Sequence, residues 1–242
     1  MSITLLETMR AGTGRIPWLD RHLDRMMASA QAYELLHDMP TREELARAAV
    51  DAVARRAGDV RLRLLAPTAE GCRVEMATVA PLSAAPPAVR AVSVRGAWRP
   101  DERAWQHKIV TQTENRVRLR ARFAERADRV LLLDRANRLG EADLANVFAV
   151  IAGEVVTAPA RGLLPGVTRA FVLEAAGGRE EVLDERTWRT ADELFLTSAL
   201  TGIVAVVEVD GHPVARGHVG PVTRRMQELL IREWSGPGVG AD

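Results

Sequence analysis

One lysine stands out in this sequence because every other basic side chain is an arginine. The chain has 33 basic residues, and Lys108 is the only lysine among them. Arginine stays protonated in proteins, whereas a desolvated lysine can lose its proton and act as an amine nucleophile that forms a Schiff base. Any lysine-dependent chemistry must therefore use Lys108. The plainer alternative is a surface lysine without a role.

Three further features could complete a site for pyridoxal 5'-phosphate (PLP). PLP needs an amine for its imine, an acidic partner for its ring nitrogen and a strong anion site for its phosphate. Glu141 could hold the ring nitrogen protonated. The run Gly166-Val167-Thr168 begins a predicted helix, whose free N–H groups and dipole favour a phosphate. Arg25 could add a charge-assisted contact to the same phosphate.

Each of these features has a plainer interpretation when it is taken alone. Glu141 could be a solvated carboxylate in a hairpin, and Pro165-Gly166 is common punctuation before any helix. Arg25 could simply lie on the surface. The prediction of a PLP site therefore depends on the combination.

The elements that must position these residues follow from apolar spacing and turn residues. A strand at 3–10 precedes a helix that begins near Leu19 and carries Arg25. A second helix opens at the capping box of Thr41 and Glu44 and runs to about Ala57. Strands are predicted at 60–65, 73–79 and 88–95. Lys108 follows a loop at 98–107 and precedes an arginine-rich helix from about 111 to 126.

The second half of the sequence alternates short strands with helices. Strands are predicted at 129–134, 195–197 and 203–209, with a hairpin of 146–151 and 154–158 around Ala152-Gly153 and a turn at Asp210-Gly211. Residues 164–168 open a predicted helix that runs to about Ala176, and a C-terminal helix covers 221–234. The Pro/Ala-rich stretch 80–87 is the predicted linker. These elements indicate an α+β protein with a small N-terminal lobe at 1–84 and a larger lobe at 85–242.

Composition excludes several classes of partner. The sequence is 47% apolar and 27% charged with a net charge of +1, as in ordinary globular proteins, so it gives no case for nucleic acid or an anionic membrane. The single cysteine, Cys72, excludes an internal disulfide, and the five histidines show no metal-ligand spacing. The N-terminus lacks the pattern of a secretory signal. We therefore expect a cytoplasmic protein without a metal or a membrane span.

The sequence resembles the class-IV aminotransferase superfamily, the fold-type-IV PLP enzymes, over residues 5–221. Besides Lys108 at the position of the family's Schiff-base lysine, five motifs carry the resemblance in the family's order. They are Leu6-Glu7-Thr8-Met9-Arg10, His22-Leu23-Asp24-Arg25-Met26, Glu141 through Phe148 (E-x-x-x-x-N-x-F), Leu164-Pro165-Gly166-Val167-Thr168-Arg169, and Phe195-Leu196-Thr197-Ser198.

The resemblance implies a fold and a role for each matching residue. The fold would be like that of D-amino acid aminotransferase, with two α/β lobes and the cofactor between them. Lys108 would form the Schiff base, and Glu141 would pair with the ring nitrogen. The phosphate would be bound by Arg25 and the helix start at Gly166, Val167 and Thr168, with the late turn at Ser198 and Ala199 closing the site. Family members also imply a homodimer that acts on a small amino substrate.

The late turn favours one activity within the superfamily. Transaminases usually carry S-G-T-x-x-E there, whereas this chain places Ala199 at the threonine and Gly202 at the glutamate. The pattern, of the S-L-x-G type, is more similar to that of 4-amino-4-deoxychorismate lyases, which release pyruvate to give 4-aminobenzoate. The alternatives are an aminotransferase for D-amino or branched-chain amino acids and a non-catalytic relative acting as an interaction subunit. The Lys108–Glu141 pair argues against the last.

The substrate contacts are less well defined by the sequence. Arg61, similar to a family strand arginine, and Arg10 are both candidates for the substrate carboxylate, and either could be structural. Thr111 or Thr113 could contact the cofactor's phenolic oxygen in place of an aromatic residue. Relatives usually carry a longer N-terminal segment that lines the pocket, so we expect the substrate contacts to differ from theirs.

Overall fold

The computed structural model describes residues 3–12, 14–54, 56–80 and 88–235. Within the chain, two compact units form: unit 1 comprises Met1–Pro81, His107–Thr111 and Trp234–Asp242, and unit 2 comprises Leu82–Gln106 and Gln112–Glu233. Most of the predicted linker, residues 81–87, lies outside the described residues. The division between 84 and 85 lies there too and stays a prediction.

Unit 1 is a three-stranded antiparallel sheet covered by helices. Its strands pair in the order β1-β2-β3, with Leu5 opposite Ala66 and Val60 opposite Thr78. The elements are β1 (Leu5–Gly12), α1 (Leu19–Ala32), a 3₁₀ turn (Leu36–Asp38), α2 (Arg42–Val53), β2 (Asp59–Thr68) and β3 (Gly71–Thr78).

The core of unit 1 forms because alternate residues of the strands face the helices. Leu5 and Met9 of β1 and Leu62 of β2 are buried together with Leu23 and Met26 of α1. The strand at 3–10 and the helix from Leu19 are thus confirmed, with small shifts at their ends.

Helix α2 begins as predicted but ends earlier. The Thr41 side chain accepts a hydrogen bond from Glu44 N at 3.2 Å, and the Glu44 carboxylate accepts one from Thr41 N at 2.8 Å, so the capping box is confirmed. The predicted end near Ala57 is wrong, because the helix stops at Val53. There Arg56 N bonds to Val53 O at 3.0 Å, and this tighter three-residue turn replaces the α-helical bond.

Unit 2 is a mixed sheet in which six strands close into a ring. The ring runs β10-β11-β4-β5-β6-β7, and β10 also pairs with β7. The elements are β4 (Val89–Val94), a 3₁₀ turn (Arg103–Gln106), α3 (Val110–Ala121), β5 (Arg129–Leu133), β6 (Leu139–Ala142), β7 (Asn146–Ile151), β8 (Glu154–Thr157), α4 (Val167–Ala176), β9 (Arg179–Glu180), α5 (Glu185–Arg189), β10 (Glu193–Ser198), β11 (Gly202–Val209), β12 (His212–Pro213) and α6 (Pro221–Ser235). The first two residues of α3 and the last two of α6 are assigned to unit 1.

Both predicted hairpins of unit 2 are confirmed by their turn geometry. Ala152 and Gly153 have φ of 51° and 82°, and Asp210 and Gly211 have φ of 53° and 80°. Two successive positive φ values define the tight turn that matches the twist of paired strands. The turn at Ala152-Gly153 thereby fixes strand β7 beside β8. Asn146 lies at the end of β7 that pairs with Glu141 of β6.

Two elements of unit 2 differ from the prediction. Helix α3 ends at Ala121 rather than near 126. Arg122 N donates a hydrogen bond to Leu119 O at 3.2 Å, as in a tighter three-residue turn, and the chain then continues in turns. Strand β6 was missed, because Gly140 at its centre is unfavourable in strands. Glycine is needed there, since a Cβ would overlap the indole of Trp98.

Among the described helices, none combines the length and apolar character that a bilayer crossing requires. The described residues also contain no group of three or more His, Cys, Asp or Glu side chains arranged to hold a metal ion.

Candidate active site

Lys108 belongs to unit 1, where main-chain hydrogen bonds fix its segment beside β1. Its carbonyl accepts a bond from Leu6 N at 2.8 Å, and Val110 N donates to Thr4 O at 3.0 Å. Its neighbour His107 contacts the Ser29 hydroxyl of α1 at 3.0 Å. The lysine is half-buried. The backbone of Lys108 is therefore held in place. This is required of a residue that must present its amine in one direction.

A buried ionic cluster lies in the same unit and contains Arg25. The Glu7 carboxylate on β1 accepts bonds from Arg25 Nε at 2.8 Å and Arg25 Nη2 at 2.5 Å. His22 Nδ1 lies 2.8 Å from the same carboxylate. The Glu7 and His22 side chains are each 1% exposed, and that of Arg25 is 9% exposed. The alternative of a surface arginine is thus wrong, and Glu7 fixes the direction of the guanidinium.

The pKa values of this cluster follow from burial and charge. Burial alone would raise the pKa of Glu7, but the charge of Arg25 and the hydrogen bond from His22 lower it to about 2. Burial lowers the pKa of His22, and the charges of Arg25 and Lys108 add to that effect, while Glu7 opposes it. Neutral His22 therefore donates a hydrogen bond from Nδ1–H to the ionised carboxylate of Glu7.

We expect acid to destabilise the fold through this cluster in two steps. His22 takes up a proton only in the unfolded chain below its ordinary pKa of 6.5, so stability begins to fall there. Glu7 stabilises the fold fully above its ordinary pKa of 4.5, and that contribution is lost as the pH falls toward 2. In Glu7→Gln the free energy of unfolding should be lower at neutral pH, and its deficit relative to wild type should shrink by about 3 kcal/mol toward pH 2.

Urea unfolding across this pH range checks the expectation, with His22→Gln as the matched variant. That variant should lose the upper step and keep most of the lower one, because Arg25 is the larger cause of the lowered Glu7 pKa. A Glu7→Gln deficit that does not change with pH would show that Glu7 is not held ionised by Arg25.

Glu141 lies in unit 2, on β6, and is 1% exposed. The interpretation of a solvated hairpin carboxylate is therefore wrong. Oε2 accepts a bond from Arg116 Nη1 at 2.7 Å, and Oε1 accepts one from Leu164 N at 2.5 Å. Such donors favour the ionised form. An ionised, buried carboxylate is the chemical group that a protonated ring nitrogen needs.

The segment that leads into helix α4 lies next to the Glu141 carboxylate. Glu141 pairs with Asn146 across β6 and β7, and the Asn146 amide donates to Leu164 O at 3.0 Å. Leu164 thus joins Glu141 to Asn146 through its two main-chain groups. Pairing across β7 and β10 places Thr197 opposite Asn146. The sequence motifs around 141, 164 and 197 therefore meet at one end of the ring.

Helix α4 begins with groups suited to a phosphate. Gly166 is its N-cap in an extended conformation, with no side chain capping the helix. The hydroxyls of Thr168 and Thr197 are buried, and neither has a hydrogen-bond partner within the described ranges. Buried hydroxyls without partners are costly, whereas an anion at the helix start would accept their protons. Within unit 2 these residues fit the phosphate end of PLP.

A methyl group at Gly166 would disturb this helix start. The Cβ of Gly166→Ala would overlap Oδ1 of Asn146, so either the amide or the first turn must move. We expect the Kd for PLP to rise by about tenfold or more, because helix-start N–H groups bind anions only in one geometry. Gly177→Ala, at the C-cap of the same helix, is the control that should leave the Kd unchanged; cofactor titration by fluorescence measures both.

The turn between β10 and β11 contains Ser198 and Ala199. The Ser198 hydroxyl lies 2.7 Å from the Thr201 hydroxyl and accepts a bond from Thr201 N at 3.1 Å. Gly202 follows with φ of 69° and is buried. Thr201 thus supplies a hydroxyl to a turn in which Ala199 has none.

The two candidate arginines for a substrate carboxylate differ in their surroundings within unit 1. Arg10 is paired with Asp59 and also donates to Ala80 O at 3.0 Å. Arg61 lies opposite Arg10 on β2, and its buried Nε has no partner in the described part of the chain. Arg10 therefore has a structural role here, and Arg61 is the better candidate for a ligand.

Three polar residues of these groups were not recognised as site residues from the sequence. Glu7 and His22 were overlooked, although a carboxylate at the inward positions of β1, between Leu5 and Met9, signals a buried pair. His22 and Arg25 are three apart on one helix face, which is the spacing that allows both to reach one partner. Arg116 could not be distinguished from the other arginines of α3 by sequence alone.

Known proteins share parts of this sequence. The branched-chain-amino-acid aminotransferase-like protein 2 of Arabidopsis thaliana is 36% identical over 117 residues, which cover 46% of this chain and 21% of that protein. The branched-chain-amino-acid aminotransferase of Escherichia coli K12 is 33% identical over 112 residues, covering 44% of this chain and 36% of that enzyme. The matched segment thus spans well under half of each relative.

Solved structures share the fold over nearly the whole chain. The branched-chain aminotransferase of E. coli superimposes with a TM-score of 0.82 and 22% identity, covering 95% of this chain and 84% of that one. A candidate 4-amino-4-deoxychorismate lyase from Legionella pneumophila gives 0.77 and 22%, covering 95% and 91%. An aminotransferase from Brucella abortus bound to PLP gives 0.78 and 25%, covering 96% and 89%.

These likenesses confirm the predicted α+β fold of the fold-type-IV kind. Residues 4–209 match the family described as amino-transferase class IV, whose members are PLP-dependent aminotransferases and lyases. The chain therefore belongs to the class IV amino-transferase family.

Proposed function

We propose that this protein is a PLP-dependent 4-amino-4-deoxychorismate lyase that forms 4-aminobenzoate and pyruvate. The turn from Ser198 to Gly202 carries the proposal. Gly202, where transaminases usually place a glutamate, is buried with φ of 69°, a conformation that is strained for other residues. The departure from the transaminase pattern is thus supported by the backbone of the turn.

Lys108 would have two tasks in this reaction. Its amine would hold the cofactor until the substrate amine binds. The freed Lys108 Nζ removes the proton from the carbon that bears the substrate amine. The bond between the ring carbon and the ether oxygen would then break, the departing enolpyruvate would take up a proton at its methylene carbon to become pyruvate, and the ring would become aromatic, which supplies much of the driving force.

The other proposed residues bind and orient. Bound PLP supplies the electron sink for the carbanion. Glu141 would accept a hydrogen bond from the protonated ring nitrogen, while Arg25, Gly166, Val167 and Thr168 would bind the phosphate. Ser198 and Ala199 complete the phosphate end with main-chain groups, and Thr201 adds a hydroxyl at that turn. These roles are supported by the burial of Glu141 and by the unpartnered Thr168 hydroxyl among the described residues.

Arg61 is the proposed ligand for a substrate carboxylate. The substrate of the lyase carries carboxylates, and arginine binds a carboxylate through two parallel N–H groups. Arg61 offers a buried Nε that no described residue engages, whereas Arg10 is held by Asp59. Arg61→Met should therefore raise KM for the lyase substrate more than it lowers kcat.

An aminotransferase of the D-amino or branched-chain type is the second candidate. The observation in its favour is that the curated relatives with 33–36% identity over part of this chain are branched-chain aminotransferases or proteins like them. Such an enzyme would pass the amine of its donor to the cofactor and then to a second substrate.

Parallel incubations of the PLP-loaded protein distinguish the two candidates. One receives 4-amino-4-deoxychorismate, and the others receive branched-chain or D-amino acids without an acceptor. The lyase proposal expects pyruvate release in the first and a stable cofactor spectrum in the others. Conversion of the cofactor to its amine form by an amino acid donor, without pyruvate release from the first substrate, would establish the aminotransferase instead.

The family resemblance also supports two proposals about the whole protein. We propose that it is a homodimer, because family enzymes build their pockets from two subunits, and that it acts in the cytoplasm. Light scattering on the PLP-loaded protein tests the dimer, and a monomeric mass with full turnover would contradict it.

A further inference from the structure

The carboxylate proposed to pair with the ring nitrogen already has a cationic partner. Arg116 Nη1 donates to Glu141 Oε2 at 2.7 Å, and the two side chains are 11% and 1% exposed. Leu164 N donates to the other oxygen at 2.5 Å. A carboxylate with this burial is costly without a counter-charge, and Arg116 supplies one.

Arg116 is itself held in place by a second contact. Its guanidinium lies over the ring of Trp105, with the carbon Cζ 4.4 Å from the ring centroid. A guanidinium that stacks on an indole keeps its edge available for a carboxylate. Its Nε is buried and has no hydrogen-bond partner among the described residues. Trp105 and Glu141 together thus fix Arg116 in one orientation.

We propose that Arg116 is a positioning residue that shares Glu141 with the ring nitrogen and keeps this nitrogen less basic than Glu141 alone would. The inference rests on the proposed function, because it assumes that Glu141 meets the ring nitrogen. A carboxylate that is paired with arginine carries less free negative charge, and a nearby cation disfavours protonation of a neighbouring base. The ring then withdraws electrons less strongly, which an elimination that ends in an aromatic product can tolerate.

The protonation of the ring nitrogen can be measured directly. Apoprotein is loaded with PLP that carries an NMR-active nitrogen isotope in its ring, and the chemical shift is followed against pH. In Arg116→Met the midpoint should lie about one pH unit or more above that of wild type, because the competing charge is gone. Arg116→Lys, which keeps the charge, should stay near wild type. An unchanged midpoint in Arg116→Met overturns the proposal.

A matched control lies one turn further along α3. Arg120 pairs with the buried Asp143 at 3.5 Å, so Arg120→Met removes an equal charge from the same helix but not from Glu141. Its ring-nitrogen midpoint should equal that of wild type; a shift as large as in Arg116→Met would mean that any charge on α3 has this effect and would overturn the proposal.

A second variant covers the case in which Arg116→Met does not fold. Trp105→Leu keeps the charge of Arg116 but removes the surface on which it stacks, so a smaller upward shift of the midpoint is expected, and the absence of any shift would contradict the inference.

The outcomes separate the role of Arg116 from the proposed lyase function. Shifted midpoints without pyruvate release overturn the lyase but not the role of Arg116, and unchanged midpoints with full turnover do the reverse. Failure to bind PLP overturns both.

Discussion

Lys108→Ala should lose both the visible absorption band of lysine-bound PLP and turnover. The chain has no other lysine, so no neighbouring amine of this type can replace it. We expect turnover to fall by about 100- to 10,000-fold or more, since the same group holds the cofactor and moves the proton. Absorption spectra and product formation measured on one preparation check the expectation.

Lys108→Arg is the control for charge. It keeps a cation beside His22, whose pKa the charge of Lys108 helps to lower, but a guanidinium cannot form the imine. The band should be lost in this variant as well. Turnover near the wild-type rate in either variant would show that the chemistry does not depend on this amine.

Glu141→Gln should keep the lysine-bound band but lose most of the chemistry. The amide can still accept a bond from Leu164 N, but it cannot stabilise a positive ring nitrogen. A fall in kcat of about 100-fold or more is expected, which is the scale for removing one preorganised electrostatic partner of a transition state. Burial of Arg116 without its counter-charge should also lower the free energy of unfolding.

Glu193→Gln separates the effect of Glu141→Gln on turnover from its effect on stability. Glu193 is a buried carboxylate in the same unit, and it accepts bonds from Val222 N at 3.0 Å and from Thr223 N at 2.8 Å at the start of α6. Its variant should lose stability and keep its turnover. If both variants lost turnover equally, the effect of Glu141 would be structural, and its assignment to the ring nitrogen would be wrong.

The sequence predicted those elements whose local signals agree with the fold. The capping box at Thr41, the hairpin at Ala152-Gly153 and the helix after Gly166 were all recognisable, because side-chain and turn chemistry determine them within a few residues. Strand β6 was not recognisable, since its Gly140 is required by the indole of Trp98, a residue distant in sequence that leaves no room for a Cβ. Two helices ended earlier than predicted because the chain tightens there into three-residue turns.

The polar partners of the candidate site show the same limit. Motif spacing indicated Lys108, Glu141 and the helix start at Gly166, but it did not by itself pair Glu7 with Arg25 or Arg116 with Glu141. Those pairs join strands to helices across 18 and 25 positions of sequence. Only the packed structure shows which of the 32 arginines is buried against a given carboxylate.

The most direct measurement is the release of 4-aminobenzoate and pyruvate by the PLP-loaded protein, without any added amino acceptor. A lyase forms the two products in equal amounts and continues through many turnovers, since it needs no second substrate. We expect that equality in the wild type and the loss of both products in Lys108→Ala. Absence of both products from protein that shows the lysine-bound band would contradict the lyase assignment.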